Sequence, residues 1–262
     1  MTKKPKTKRS PVIRKAAIKR ERPLATKEAK LKILVIDVGG THVKMSCSGH
    51  SEIRKFPSGP RLTPDFMIQE IKRLTSDWNY DVISMGCPMP VKNGKPIKEP
   101  VNLGNGWVGF NYENAFNRPI KIINDAAMQA LGDYEGGRIL FLGFGTGLGS
   151  TLIEEGVIVP LELAELPYKK GNFEKYTGNK ALEKKGRKKW SKEVYKVIEI
   201  LKAALEPEEV VLGGGNAQHL QKVPEGCRVA ENSNAFIGGF RLWNTALSGT
   251  KLVKNKVYNK FY

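Results

Sequence analysis

Cysteine and histidine are scarce in this 262-residue chain, with three of each. Cys47, Cys87 and Cys227 are odd in number, far apart and not in CxxC spacing. That leaves neither a disulfide framework nor a zinc site plausible, so they read as buried or free thiols. His42, His50 and His219 are not spaced as a metal pair. No apolar run approaches the roughly 18 residues that a membrane span needs. The chain is therefore expected to be soluble and cytoplasmic, with no membrane contact and no zinc. An apolar fraction of 40% is enough for a real core.

Charge of one sign dominates. The net charge is +18, and residues 1–30 carry twelve Lys and Arg against only Glu21 and Glu28. This stretch has no apolar h-region, is Lys-rich and contains early prolines. It reads as a disordered basic arm that could attract polyanions non-specifically.

Order is expected from Leu31. The run Ile33-Leu34-Val35-Ile36 before Gly39-Gly40 predicts a buried strand, and His42–Ser46 a second one paired with it as a hairpin. Further strands are expected over Asp81–Gly86, Ile120–Ile123, Arg138–Phe144, Ser150–Ile153, Val157–Val159 and Val210–Leu212. Helices are expected over Pro64–Leu74, from Asp125, over Ser191–Leu205 and over Ala235–Leu247, while 172–190 reads as irregular or partly helical. Each half opens with a strand, a Gly-Thr turn and a hairpin. This weak repeat predicts two α/β lobes facing across a cleft, at 31–135 and 136–250, with a tail or final helical segment at 251–262.

Five clusters carry chemistry. In Asp37-Val38-Gly39-Gly40-Thr41 a carboxylate ends a buried strand, two glycines allow close backbone approach, and Thr41 offers a hydroxyl. Lys44 could screen phosphate charge, and Asp37 could hold a hydrated Mg2+. The alternating glycines of Gly143-Phe144-Gly145-Thr146-Gly147-Leu148-Gly149 cost chain entropy that a plain hairpin has no need to spend, which points to a second phosphate nest. Between the two, Asn124-Asp125 stands at a strand-to-helix junction. Asp125 there could take a proton from an attacking hydroxyl; Asn124 could bond a sugar hydroxyl or simply cap the helix. Glu162 and Glu165 could grip vicinal hydroxyls. Gly213-Gly214-Gly215, closing a late strand, could clear space for a nucleotide or a phosphate chain.

The order DVGGTHVK, GCPMPV, NLGNGW, NDAAMQA, GFGTGLGS, VPLELAE, VVLGGGN resembles the ROK family of repressors and sugar kinases, and within it the polyphosphate glucokinase branch. The resemblance runs from about Leu31 to Leu247. It implies an α/β actin-like ATPase (ribonuclease H-like) fold of two lobes around a central cleft. It implies transfer of a phosphoryl group from polyphosphate and/or ATP, with Mg2+, to the 6-hydroxyl of a hexose such as glucose. Asp125 would be the general base, and Asn102, Asn124, Asp125, Glu162 and Glu165 would meet the sugar. Asp37, Gly39, Gly40, Thr41 and Lys44 would meet the donor, with Gly145, Thr146, Gly147, Gly213, Gly214 and Gly215. A homodimer is also implied.

The chain departs from the family pattern in three respects. Where the family has Glu-x-Gly-His, this chain has Glu162-Leu163-Ala164-Glu165, so Glu165 stands in place of the histidine. The Cys-rich zinc segment of many ROK kinases is absent, as it is in the polyphosphate branch, and Ala127 replaces an acid often found after Asn-Asp-Ala. The alternatives are a kinase for a different sugar and a non-catalytic sugar sensor. A ROK repressor is disfavoured, since the Lys-rich 1–30 segment lacks a helical apolar pattern. A basic run (Lys169, Lys170, Lys175, Lys180, Lys184, Lys185, Arg187, Lys188, Lys189) could track a polyanionic donor.

Overall fold

The structure is a computed structural model, and it describes residues 31–231 and 234–243. Expectations for the arm at 1–30 and for 244–262 lie outside the described residues. By contacts the chain divides into a unit at Met1–Lys30 and a unit at Leu31–Tyr262. The second unit holds all the described elements.

In chain order the elements are β1 (Ile33–Val38), β2 (His42–Cys47), β3 (Arg54–Pro57), α1 (Pro64–Leu74), β4 (Val82–Cys87), a small hairpin of β5 (Val91–Lys92) and β6 (Lys95–Pro96), α2 (Tyr112–Phe116), β7 (Ile120–Asn124) and α3 (Asp125–Asp133). Then come β8 (Arg138–Phe144), β9 (Leu148–Glu154), β10 (Val157–Leu161), a second small hairpin of β11 (Pro167–Tyr168) and β12 (Gly171–Asn172), α4 (Phe173–Thr177), α5 (Asn179–Leu205), β13 (Glu209–Gly213), β14 (Cys227–Val229) and α6 (Asn234–Arg241).

Two five-stranded sheets repeat one topology. The first has the order β3-β2-β1-β4-β7, the second β10-β9-β8-β13-β14. In each, the first three strands form an antiparallel meander, and two parallel strands complete the other edge. The repeat expected from the two Gly-Thr hairpins is therefore a repeat of whole sheets.

The central strands read as they do because both faces are covered. All six residues of β1 and all six of β4 are buried, which is why they are near-continuous apolar runs. The outer face of the first sheet packs with α1, α2 and the fully buried Trp107. The outer face of the second packs on α5 through Trp190, Val194, Val197, Ile198 and Leu201. Between the sheets lies a third core, built from α3 and α6 with Val35, Ile123, Phe141, Ile153 and Val211.

α6 follows the second sheet in sequence yet rests on the first. Ser84 Oγ donates to Gly239 O at 2.6 Å, and Trp243 Nε1 to Ile83 O at 3.3 Å. Arg241 Nη1 donates to the carbonyls of Leu131, Gly132 and Tyr134, closing the end of α3. That satisfies carbonyls a helix end leaves bare.

The basic stretch before Trp190 is helical: α4 and α5 cover it, with one non-helical residue, Gly186 (φ 72°, ψ 159°), breaking α5. A positive φ there suits glycine alone among common residues. The expected helix at Ser191–Leu205 is the part of α5 after that break.

Candidate active site

β1 delivers Asp37 to the edge where β4 and β7 also end. In register, Lys44 on β2 pairs with Asp37, and Asp37 pairs with Gly86 on β4. The Lys44 ammonium lies 3.5 Å from Asp37 Oδ2, a cross-strand pair of opposite charge. Asp37 is buried, and burial raises its pKa more than Lys44 lowers it.

The first glycine turn is pinned by a residue that the sequence does not single out. Ser58, just past β3, donates its hydroxyl to Gly39 O at 2.6 Å and its amide to Thr41 O at 2.9 Å. Gly39 N closes the turn on His42 O at 3.0 Å. Gly40 and Thr41 are exposed at its tip.

The second turn is tied just as firmly. Gly145 N donates to Gly147 O at 3.0 Å. The first amide of α5, that of Asn179, reaches Gly145 O at 3.0 Å and Thr146 O at 3.3 Å. Asn216 Nδ2 donates to Gly145 O at 3.2 Å and to Asn179 Oδ1 at 3.1 Å. The two turns face one another: a Cβ on Gly40 would stand 3.8 Å from Thr146 Oγ1.

Asp125 opens α3 on the same side. Its Oδ1 accepts from the Ala126 amide at 2.8 Å. Protein atoms close around it, and that desolvation, with the nearby negative charges of Asp37 and Glu162, pushes its pKa up to about 6. Gly86 sits behind it, where a Cβ would lie 3.4 Å from Asp125 Cα. The missing side chain makes room for Met128, whose Cε a Cβ there would meet at 2.5 Å.

Asn124 does cap α3: its Oδ1 accepts from Ala127 N at 3.2 Å, and its Nδ2 donates to Met89 O at 3.4 Å. The second Nδ2 hydrogen has no partner among the described residues. Asn102 is exposed on a loop held by Glu99, whose carboxylate accepts from the amides of Trp107 (3.0 Å) and Val108 (3.1 Å).

Glu162 and Glu165 are exposed beside the short 3-10 turn Leu163–Glu165. Partial desolvation by the neighbouring protein raises the Glu162 pKa against the pull of Lys98, and the like charges of Glu165 and Glu174 raise it further. Asn172, which also caps α4, donates to Glu165 at 3.3 Å. Glu174 lies against Gly147. Lys98, Asn172 and Glu174 belong to no motif, and only the fold brings them to the cleft.

Gly213 and Gly214 are largely structural. A Cβ on Gly213 would enter the Phe141 ring, and one on Gly214 (φ 79°) would enter the backbone of Phe144; Gly215 alone faces open space. Among the described residues no group of three or more His, Cys, Asp or Glu is gathered to hold a metal ion. No helix among them is long and apolar enough to cross a membrane.

No protein-family model matches the chain. By sequence it is similar to the polyphosphate glucokinase of Mycobacterium tuberculosis, 26% identical over 141 residues, 48% of this chain and 53% of that protein. The chain thus spans about half the length of the curated relatives it matches. Among solved structures it resembles the inorganic polyphosphate/ATP-glucomannokinase of Arthrobacter sp. strain KM, with TM-score 0.71 and 20% identity over 81% of this chain and 98% of the other. It also resembles a ROK family glucokinase from Streptomyces griseus solved with glucose and AMPPNP (TM-score 0.64, 14% identity, 80% and 98% covered). A ROK family transcriptional regulator homologous to the E. coli MLC protein has a similar fold (TM-score 0.66, 13% identity, 86% and 80% covered). The resemblance drawn from the ordered motifs is borne out, and the chain has the two-lobed, actin-like α/β fold of the ROK sugar kinases.

Proposed function

We propose that the protein is a sugar kinase that moves a phosphoryl group from polyphosphate and/or ATP to the 6-hydroxyl of a hexose, with glucose the first candidate. The observation that carries this reading is Asp125, a desolvated carboxylate placed beside two facing glycine turns. A pKa of about 6 leaves it ionised at neutral pH yet basic enough to accept a proton.

Asp125 takes the proton of the acceptor hydroxyl. The freed oxygen bonds to the terminal phosphorus of the donor, and the bond from that phosphorus to the bridging oxygen breaks. The shortened polyphosphate, or ADP, leaves with the electron pair. Phosphoryl transfer asks the protein chiefly for positioning and charge. Here Gly39, Gly40 and Thr41 meet the donor from one side, and Gly145, Thr146 and Gly147 from the other. Asn102, Asn124, Glu162 and Glu165 orient the sugar.

Asp37 suits Mg2+, which takes one or two carboxylates and fills its remaining positions with phosphate oxygens and water. Its buried carboxylate already holds one cation, the Lys44 ammonium. Bound Mg2+ would neutralise charge on the transferring group, and Lys44 would screen the same phosphates. Lobes at 31–135 and 136–250, with α6 crossing back to the first sheet, and a homodimer, complete this reading.

The basic surface supports a polyphosphate donor. The N-terminus of α5 abuts the second turn, and Lys180, Lys184, Arg187, Lys188 and Lys189 lie exposed along that helix. Lys169 is less available, because it pairs with Glu193 between the rings of Tyr168 and Tyr176.

The test is a side-by-side assay of purified protein with ATP and with polyphosphates of graded length, each with and without Mg2+. Sugar 6-phosphate is the expected product, and Asp125→Asn should reduce its formation about 10²–10⁴-fold with the fold intact. Undiminished turnover in that variant overturns the mechanism. A second reading, sugar sensing without catalysis, draws on the fold shared with a ROK regulator; sugar binding with no turnover from any donor would establish it.

A further inference from the structure

At the other edge of the first sheet lies a cavity that the proposed reaction does not use. Its volume is about 370 Å³, and its lining includes Lys72, Ser76, Asn79, Asn117 and Arg118 over a floor of Trp78, Tyr80 and Phe116. That volume is at the small end of ligand clefts, which run from roughly 300 to 1,000 Å³. No carboxylate is among the lining residues.

Arg118 is the fixed point of this cavity. Its Nε donates to Tyr80 O at 3.2 Å and its Nη1 to Asn117 O at 2.9 Å. Two backbone carbonyls thus hold the guanidinium in place. Among the described residues Nη2 has no protein partner, so one edge of a preset fork is free. Lys72, on the last turn of α1, brings a second cation with no described ion pair. An arginine fork and a lysine lining one cavity, with no carboxylate among its lining residues, suit a phosphate group. The exposed side chains of Ser76, Asn79 and Asn117 on the rim suit hydroxyls.

The geometry points to a second ligand site here, for a small phosphate monoester bearing hydroxyls, a sugar phosphate. The cavity stands where β4 and β7 begin, after Tyr80 and Arg118. The same two strands end at Cys87 and at Asn124, beside Asp125. The site is therefore about 20 Å from the cleft, one strand length away. That the ligand is this protein's own product rests on the kinase reading; that a sugar phosphate binds does not.

Calorimetry on the full chain, with no donor present, tests it using glucose 6-phosphate, inorganic phosphate and glucose as titrants. Glucose 6-phosphate should bind more tightly than inorganic phosphate through this site. Arg118→Gln and Lys72→Gln should each weaken it about tenfold, the loss of one charge-assisted hydrogen bond. Lys72→Gln breaks no described contact, so it stays informative if Arg118→Gln disturbs the fold. Glu162→Gln, in the cleft, should leave this binding in place. Absence of glucose 6-phosphate binding, equal binding of inorganic phosphate, or loss of binding only in the cleft variant would each overturn the proposal. Because no turnover is needed, a failed kinase assay does not decide it.

Discussion

Thr146 Oγ1 stands 3.8 Å from the point that a Cβ on Gly40 would occupy, so the two glycine turns close on each other across a gap about one side chain wide. That distance is an ordinary van der Waals contact, and Gly40 does not have the positive φ that favours glycine. Gly40→Ala should therefore fold with a stability change within about 0.5 kcal/mol. Gly40→Val puts branched bulk where donor phosphates are to lie. It should raise the donor KM several-fold and leave the sugar KM unchanged, as steady-state kinetics with each substrate varied would show.

The Asp125 carboxyl should govern the acid limb of the rate. With a pKa of about 6, activity should fall as pH drops through 6, where the base becomes protonated. The same shift fixes the sign for stability. Unfolded, this group ionises near 3.8, whereas the folded state keeps the proton until about 6. The folded state is then favoured by protonation, and that benefit is lost as pH rises through this window. Asp125→Asn should raise Tm at pH 7–8, with a gain in stability on the order of 3 kcal/mol, and change little below pH 4. A thermal melt series over pH, showing no gain at neutral pH, would contradict the burial argument.

Much of this was readable from residue order, and the rest was not, for physical reasons. All the strands of the two sheets except the edge strands β3 and β14, and the Asp37, Asp125 and Gly145 positions, follow from apolar runs and the glycine or Asn-Asp turns beside them. Those signals are local, because each residue's neighbours in sequence are also its neighbours in the site. Ser58, Glu174 and Lys98 are brought in by tertiary folding, and a lone Ser or Lys in a loop, or a Glu in the five-residue helix α4, carries no period or motif. The packing of α6 on the first sheet is likewise hidden: a helix that follows β14 looks as if it belongs to the second sheet. The Gly213-Gly214-Gly215 run has a packing role that its sequence does not show. Two of its glycines make room for Phe141 and Phe144, and only the third is open.

Lys44 and Asp37 form a pair that can be opened from one side. Lys44→Gln removes the only described ion-pair partner of a buried carboxylate. Asp37 should then hold its proton to higher pH still. Ionised Asp37 should cost on the order of 1 kcal/mol of stability at neutral pH, the Lys44 end being half-exposed and screened. The deficit should shrink as pH falls and Asp37 is protonated. Chemical denaturation at pH 7.5 and at pH 4 reads both signs. The donor KM should rise as well, with no change in the sugar KM.

Glu165 is exposed and held by Asn172, so its replacement should act on ligand choice rather than on folding. Glu165→His restores the residue that the resembled family carries at this place. It should leave Tm unchanged and shift the relative KM values for a panel of hexoses, while the donor KM stays fixed. Identical sugar preference in the variant would mean that Glu165 does not touch the acceptor.

The start of α3 is held by a close contact with the second sheet. A Cβ on Gly149, in β9, would lie 2.8 Å from the Cβ of Ala126, the residue after Asp125. Gly149→Ala must therefore push the first turn of α3 or bend β9, and such overpacking costs about 1–3 kcal/mol. Because Asp125 rides on that turn, kcat should fall by more than the stability loss alone explains, with both KM values little changed. The obstruction is between two methyl groups, so Ala126→Gly in the same chain should relieve it. The double variant should recover most of kcat, whereas two independent losses would simply add. Measuring the single and double variants together separates misplacement of the base from general destabilisation: without recovery in the double variant, the position of Asp125 does not depend on this contact.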